Sequence, residues 1–324
     1  VSERYTVVVL RGGPSWDHDE SMKSGRALID VLHHLGHRPI DVVVDSDGNW
    51  VRDGRAQNPR EASRGGDLIW NAAVGGYGED GRAQRDMRST GLPFTGPSDL
   101  GAAISTQKHH AKSVLRRAGV KTPVARLVER QDPAALAIEL FRVCAMPAVV
   151  KPADRGGSLG VSVARTIPEL ALALHAAFAV SPKAIVEEWI DGKEVTVGVI
   201  EGFRGEDRYA LPTVEICLKG DCRHYTCEMK KTGQGAKLVC PGNFDAKARD
   251  EIYGAAKAAH DALGLKDISR IDIIHHPRRG AFVIEANAVP SVAPGSAVWR
   301  GLVAVGADLK QLVGHVLDRT VRKR

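Results

Sequence analysis

Aromatic side chains are scarce: Phe, Trp and Tyr together make up 5% of the 324 residues. Blocks of like charge are missing as well, since 45 basic and 39 acidic residues are interspersed and leave a formal charge of +6. A nucleic-acid groove needs a concentrated basic stripe, usually with rings on which bases stack, so that class is set aside. No apolar run approaches the roughly 18–20 residues of a membrane span. The four apolar residues from Val7 to Leu10 are too few for a signal-peptide core. A cytoplasmic protein with no membrane partner is expected. No C-x-x-C occurs among Cys144, Cys217, Cys222, Cys227 and Cys240, so reduced packing cysteines are expected rather than structural zinc. The pairs His33-His34, His109-His110 and His275-His276 are poor ligand sets, because adjacent residues face apart.

What is present is ordinary globular composition, 43% hydrophobic and 26% charged, in a chain long enough for two or three units. Short β-prone runs at 5–10, 40–44 and 67–73 alternate with a helical stretch and end in Gly12-Gly13-Pro14-Ser15, Asp45-Ser46-Asp47-Gly48 and Gly75-Gly76. That order predicts a parallel sheet with ligand loops at the strand carboxyl ends, over residues 1–98. A central unit over 99–183 begins with a helix from Gly101 to Ala118, and a last unit over 184–324 holds further strands and a closing helix. The expected class is α/β followed by α+β.

The strongest local signal lies in two strands, Ser269–His276 and Ala281–Asn287, around the turn 277–280. Pairing His276 with Ala281 sets Asp272 opposite Glu285 and Arg270 opposite Asn287, all on one face. Two carboxylates directly opposite one another repel. A divalent cation turns that repulsion into binding, and two carboxylates plus an Asn carbonyl are hard oxygen ligands suited to Mg²⁺. The other reading is a solvated hairpin face on which Arg270 neutralises Asp272.

Two weaker signals concern a nucleotide. Lys151 closes a short apolar strand ahead of Gly156-Gly157-Ser158-Leu159-Gly160, where flexible glycines let backbone N–H groups approach phosphate. The run matches neither Walker A nor G-x-G-x-x-G, and a glycine-rich hairpin turn reads equally well. The strand ending Val186-Glu187-Glu188-Trp189-Ile190, with Glu194 beyond it, could offer backbone to an adenine and a carboxylate to ribose; a strand end with solvated acids is the alternative.

Together with Gly12-Gly13-Pro14-Ser15, Ser21, Gly78-Glu79-Asp80-Gly81, Gln84, Pro93-Phe94-Thr95-Gly96, Lys108 and Pro290, these pieces resemble the D-alanine–D-alanine ligases of the ATP-grasp superfamily, in the family's order over nearly the whole chain. The resemblance implies an ATP-grasp fold with an N-terminal Rossmann-like (pre-ATP-grasp) domain. It implies that Lys108 and Lys151 contact ATP phosphates, with Gly157 and Ser158 in the phosphate loop. Glu187, Glu188, Trp189 and Ile190 would then hold adenine and Glu194 the ribose. Asp272, Glu285 and Asn287 would bind two Mg²⁺ ions, with Mn²⁺ as an alternative, and Arg270 would stabilise an oxyanion. Lys230 falls where the family's mobile loop carries its lysine, and Ser296 where a serine holds the second substrate's carboxylate. A homodimer acting on small molecules is also implied.

Departures from the family pattern gather in the first amino-acid pocket. Asp17 replaces the glutamate that holds the first ammonium, Val74 a histidine, Gly157 a serine, Lys231 a tyrosine and Ser291 a glycine. The implied reaction is ATP-dependent formation of D-alanyl-D-alanine through an acylphosphate for peptidoglycan precursors. The alternatives are ligation of other amino acids or a hydroxy acid, and a catalytically impaired nucleotide-binding homologue.

Overall fold

The computed structural model describes residues 3–220, 226–232 and 234–322. Three sheets organise it. In the first, Thr6–Gly12 pairs in parallel with Arg38–Val44 on one side and Leu68–Asn71 on the other. Four consecutive residues of the central strand, Val7 to Leu10, are wholly buried, as a parallel strand covered on both faces requires. The sequence missed an antiparallel extension, Trp50–Arg52 and Arg55–Gln57, whose three-residue strands are too short to show periodicity. Helix His18–His34 covers one face of this sheet beside the closing helix Leu309–Val321.

The second sheet is antiparallel, in the order Ala125–Glu129, Lys183–Glu188, Ala148–Pro152, Ser162–Ala164. The strand Lys183–Glu188 is paired on both sides within it, so the sheet extends past the expected division at 183/184. Helices Pro133–Val143 and Ile167–Val180 pack on this sheet, the former capped by Asp132, which accepts from the Ala134 and Ala135 amides.

The third sheet runs Ala236–Val239, Val214–Leu218, Lys193–Glu201, Ile268–His276, Gly280–Asn287, with Arg208–Ala210 also on Lys193–Glu201. Arg208–Ala210 and Val214–Leu218 are separate strands, parted around Pro212. Helix Ala246–Ala262 packs Ile252 and Ala256 against Ile271, Ile273 and Val283.

The helix expected from Gly101 to Ala118 is broken. Asp99–Thr106 ends at Gln107, whose ψ of 93° is extended, and Lys108–Arg117 starts afresh. The Lys108 amide donates to Ala153 O of the second sheet's loop, so a tertiary bond overrides local propensity. The break delivers Lys108 to the space between the second and third sheets.

Candidate functional site

The hairpin holds Asp272 opposite Glu285 and Arg270 opposite Asn287, but not through the expected turn. His276 pairs with Gly280 and His275 with Ala281, one residue out of the anticipated register. A β-bulge between Asp272 and Ile273 leaves Ile284 as the extra residue and restores the register before the carboxylates are reached. Asp272 is only 9% exposed, which rules out a solvated face. The Arg270 guanidinium donates to both its oxygens, at 3.0 Å each, so this part of the other reading holds. Thr196 Oγ1 donates to Asp272 Oδ1 at 2.6 Å from the neighbouring strand, and Asn287 Nδ2 to Oδ2 at 3.2 Å. Burial works against the Arg270 charge, but Asp272, Glu285 and Glu79 together more than offset it and hold the guanidinium above its ordinary pKa.

Glu285 is met by Lys108, whose Nζ donates to Oε1 at 2.7 Å and to Arg155 O at 2.7 Å. Both carboxylates are therefore balanced by cations that a ligand could displace or share. The donor set fits Mg²⁺: two carboxylates and an amide oxygen on one face, hard and few enough to leave positions for water and phosphate. Among the described residues no cluster of three or more His, Cys, Asp or Glu offers a competing site.

Across the cleft, Lys151 Nζ donates to Glu187 Oε2 at 2.9 Å, and Lys112 Nζ lies 3.2 Å from Oε1 and donates to Thr122 Oγ1 at 2.8 Å. Glu187 is 2% exposed. Its carboxyl is engaged by two lysines, so the acidic strand end is a buried counter-ion rather than a solvated tip. Burial pushes this carboxyl up, and Lys112 and Lys151 pull it back further, to a net value below the ordinary range. Burial lowers Lys112 to about 8, against the pull of Glu187. Lys151 is held above its usual value, because Glu187, Glu285 and Glu194 together outweigh its burial. Lys112 escaped the sequence reading, although its place one helical turn after Lys108 puts both on one face. Glu188 accepts from the Val124 amide and from Arg279; Trp189 donates its N–H to Pro147 O, and Ile190 is buried.

Asp17 stands at the start of helix His18–His34 without capping it through its side chain. A Cβ added at Gly75 would collide with its Oδ2, and one added at Gly157 would come 3.6 Å from its Oδ1. The carboxylate thus occupies the gap between the loop after Leu68–Asn71 and the glycine-rich loop. Gly157 and Ser158 both adopt positive φ, 68° and 60°, a conformation that favours glycine at 157 over the family's serine. Val74 is half-buried, its carbonyl accepting from Ser15 Oγ.

Glu79, named only as part of a motif, also belongs here. Its Oε1 accepts from the Val289 amide at 2.7 Å, and its charge is felt by Arg270, Asp17 and Glu285. Removal from water lifts its pKa to about 8, against the Val289 N–H and Arg270. Ser296 caps helix Ala297–Ala304 by accepting from the Trp299 amide at 3.2 Å. Lys230 lies in the helical segment Cys227–Thr232, but its side chain and that of Lys231 fall outside the described residues.

Comparison with known proteins follows the same lines. The family described as D-ala D-ala ligase C-terminus matches residues 114–318. A D-alanine–D-alanine ligase of Gloeobacter violaceus is 30% identical over 315 residues, covering 97% of this chain and 99% of that protein. One from Synechococcus sp. is 30% identical over 318 residues, covering 98% and 93%. Among solved structures, the VanG D-Ala:D-Ser ligase from Enterococcus faecalis superposes with a TM-score of 0.84 over 98% of this chain and 99% of that one. At 23% identity, that likeness bears on the fold alone.

Proposed function

Because the chain belongs to the D-alanine–D-alanine ligase family of ATP-dependent, ADP-forming enzymes, we propose that it joins two D-alanines into D-alanyl-D-alanine for peptidoglycan precursors. The fold is the ATP-grasp fold. The observation that carries the reading is the cross-strand pair Asp272 and Glu285, with Asn287 beside them and Lys108 and Lys151 within reach across the cleft.

A carboxylate is a poor electrophile. One carboxylate oxygen of the first substrate attacks the γ-phosphorus of ATP, ADP leaves, and an acylphosphate results. The amine of the second substrate then attacks the acyl carbon, loses a proton, and phosphate departs. Lys108 and Lys151 neutralise the transferring phosphoryl group, and Gly157 and Ser158 bring backbone N–H groups to it. Asp272, Glu285 and Asn287 would hold two Mg²⁺ ions, which when bound would supply charge neutralisation at the phosphates. Arg270 faces the tetrahedral oxyanion, Asp17 holds the first ammonium and Ser296 the second carboxylate. Lys230 is assigned by family likeness, while the 187–190 backbone and Glu194 take adenine and ribose. Holding both substrates together accounts for much of the rate.

A second reading, turnover of another small amino or hydroxy acid, is favoured by the short Asp17 side chain wedged between Gly75 and Gly157. Coupled ADP release with Mg²⁺-ATP over a panel of D- and L-amino and hydroxy acids tests both. Turnover with D-alanine supports the first, turnover confined to other acids supports the second, and no acid-dependent release refutes the ligase assignment. The chemistry belongs in the cytoplasm, where ATP is available. No helix among the described residues is long and apolar enough to cross a membrane. A homodimer is the assembly we assign by family likeness.

A further inference from the structure

The segment that leaves the metal-side strand is fastened to the first unit at three points. Val289 N donates to Glu79 Oε1, Ser291 Oγ to Glu20 Oε1 at 2.5 Å, and Val292 N to Ser24 Oγ at 3.1 Å. Glu20 and Ser24 lie one turn apart on helix His18–His34, so they present to the same side. Between them Ser21 Oγ accepts from Gly12 N at 2.8 Å and donates to Ala72 O at 2.7 Å, gripping the two strand-end loops that flank Asp17. One helix therefore braces three loops. Its first turn starts at Asp17, and the face carrying Glu20 and Ser24 holds the chain four residues beyond Asn287.

Ser291 is one of the positions at which the chain departs from its family, and its hydroxyl is what makes the short bond. It is 7% exposed and also accepts from the Ala293 amide at 3.2 Å, which fixes the direction of its proton toward Glu20. We propose that Glu20 and Ser291 are a pair of positioning residues that set the separation between the ammonium anchor, Asp17, and the phosphoryl-transfer hairpin. The inference rests on the ligase reading. A substrate anchored by its amino group at one end and phosphorylated at its carboxyl at the other reacts only when that separation is right. A misplacement on the order of 1 Å can cost as much as ~100-fold in rate.

The test compares Ser291→Ala, Glu20→Ala, Glu20→Gln and the double variant Glu20→Ala/Ser291→Ala in ADP release with Mg²⁺-ATP and D-alanine. Ser291→Ala and Glu20→Ala are expected to lower kcat/KM for the amino acid about tenfold, with KM for ATP unchanged. Glu20→Gln, whose amide oxygen still accepts the hydroxyl, restores most of the wild-type value. The double variant is no worse than either single one. Multiplying effects, an equal rise in KM for ATP, failure of Glu20→Gln to rescue, or a fall in thermal midpoint with kcat/KM intact would each overturn the pair. Wild-type turnover is measured first. Its absence with every acid refutes the ligase reading and this inference with it, whereas normal wild-type turnover with any of those variant results refutes the inference alone.

Discussion

The first and third sheets are joined by oil, the second by charge. Val7, Val9, Leu28, Leu32, Leu68 and Trp70 of the first unit share one apolar cluster with Ile200, Val298, Leu302, Leu312 and Val316 from the far end of the chain. Among the described residues, the buried cluster of the second sheet, from Val128 to Val186, draws on none outside that unit. What links this sheet to its neighbours includes Lys112–Glu187, Lys108 to Arg155 O, and Arg279–Glu188. Apolar burial is non-directional and scales with area, so it fixes the amino-acid side and the metal hairpin as one body. Ionic contacts are directional: the buried Lys112–Glu187 pair is costly to break and the partly exposed Arg279–Glu188 pair is not, so the wall on the nucleotide side can loosen at its rim while holding at its base.

The comparison can be broken at its chemical centre first. Asp272→Asn combined with Glu285→Gln should cut acid-dependent ADP release by at least about 1,000-fold, while circular dichroism stays native and the thermal midpoint falls, because the Arg270 and Lys108 charges lose their partners. Residual turnover near wild type would remove the metal reading.

Next come two leucines, both fully buried. Leu312→Ala, in the shared cluster, should cost about 2–5 kcal/mol of global stability, read from denaturant unfolding. Leu174→Ala, in the separate cluster, should cost a similar amount but appear in hydrogen exchange as faster opening of residues 125–188 alone. Uniform loosening from Leu174→Ala would show that the second sheet is not a separate unit.

A smaller effect is expected from Glu79, which bridges the first unit to Val289. With its folded pKa raised from 4.5 to about 8, the native chain holds a proton that the unfolded chain releases across that window. Its contribution is thus fully present below pH 4.5 and is lost as pH rises toward 8. Glu79→Gln should flatten that fall in the nucleotide-free protein, compared by urea midpoints at pH 5 and pH 8. The smallest effect is Arg279→Ala. Its pair with Glu188 is partly exposed, so no more than about 1 kcal/mol should be lost, with a faster rate of nucleotide entry in stopped-flow mixing.

Much of this was legible in the residues, and the exceptions share a cause. The run Thr6-Val7-Val8-Val9-Leu10 declares a buried strand, and the facing acids of the hairpin declare themselves by mutual repulsion. The break at Gln107 does not, because it is made by a bond to Ala153, far along the chain. Glu187 reads as a strand-end acid until two lysines from other elements close on it. The bulge at Ile284 is equally silent, since Phe282, Val283 and Ile284 are all apolar and suit either face. Glu20 and Ser291 are far apart in sequence and meet only once helix His18–His34 is docked.

That bulge has a consequence for how the chain tolerates insertions and deletions. Deleting Ile284 would leave Asp272 facing the same acid, whereas drawing Ile284 into the ladder opposite Asp272 would continue the pairing of Ile273 and Val283 without interruption and move Glu285 opposite Ile271. Its charge would then enter the greasy layer under Ile252 and Ala256, and chelation would lose an arm while every ligand remained in the sequence. Parity at a single position, more than the identity of the acids, decides whether this hairpin can grip an ion.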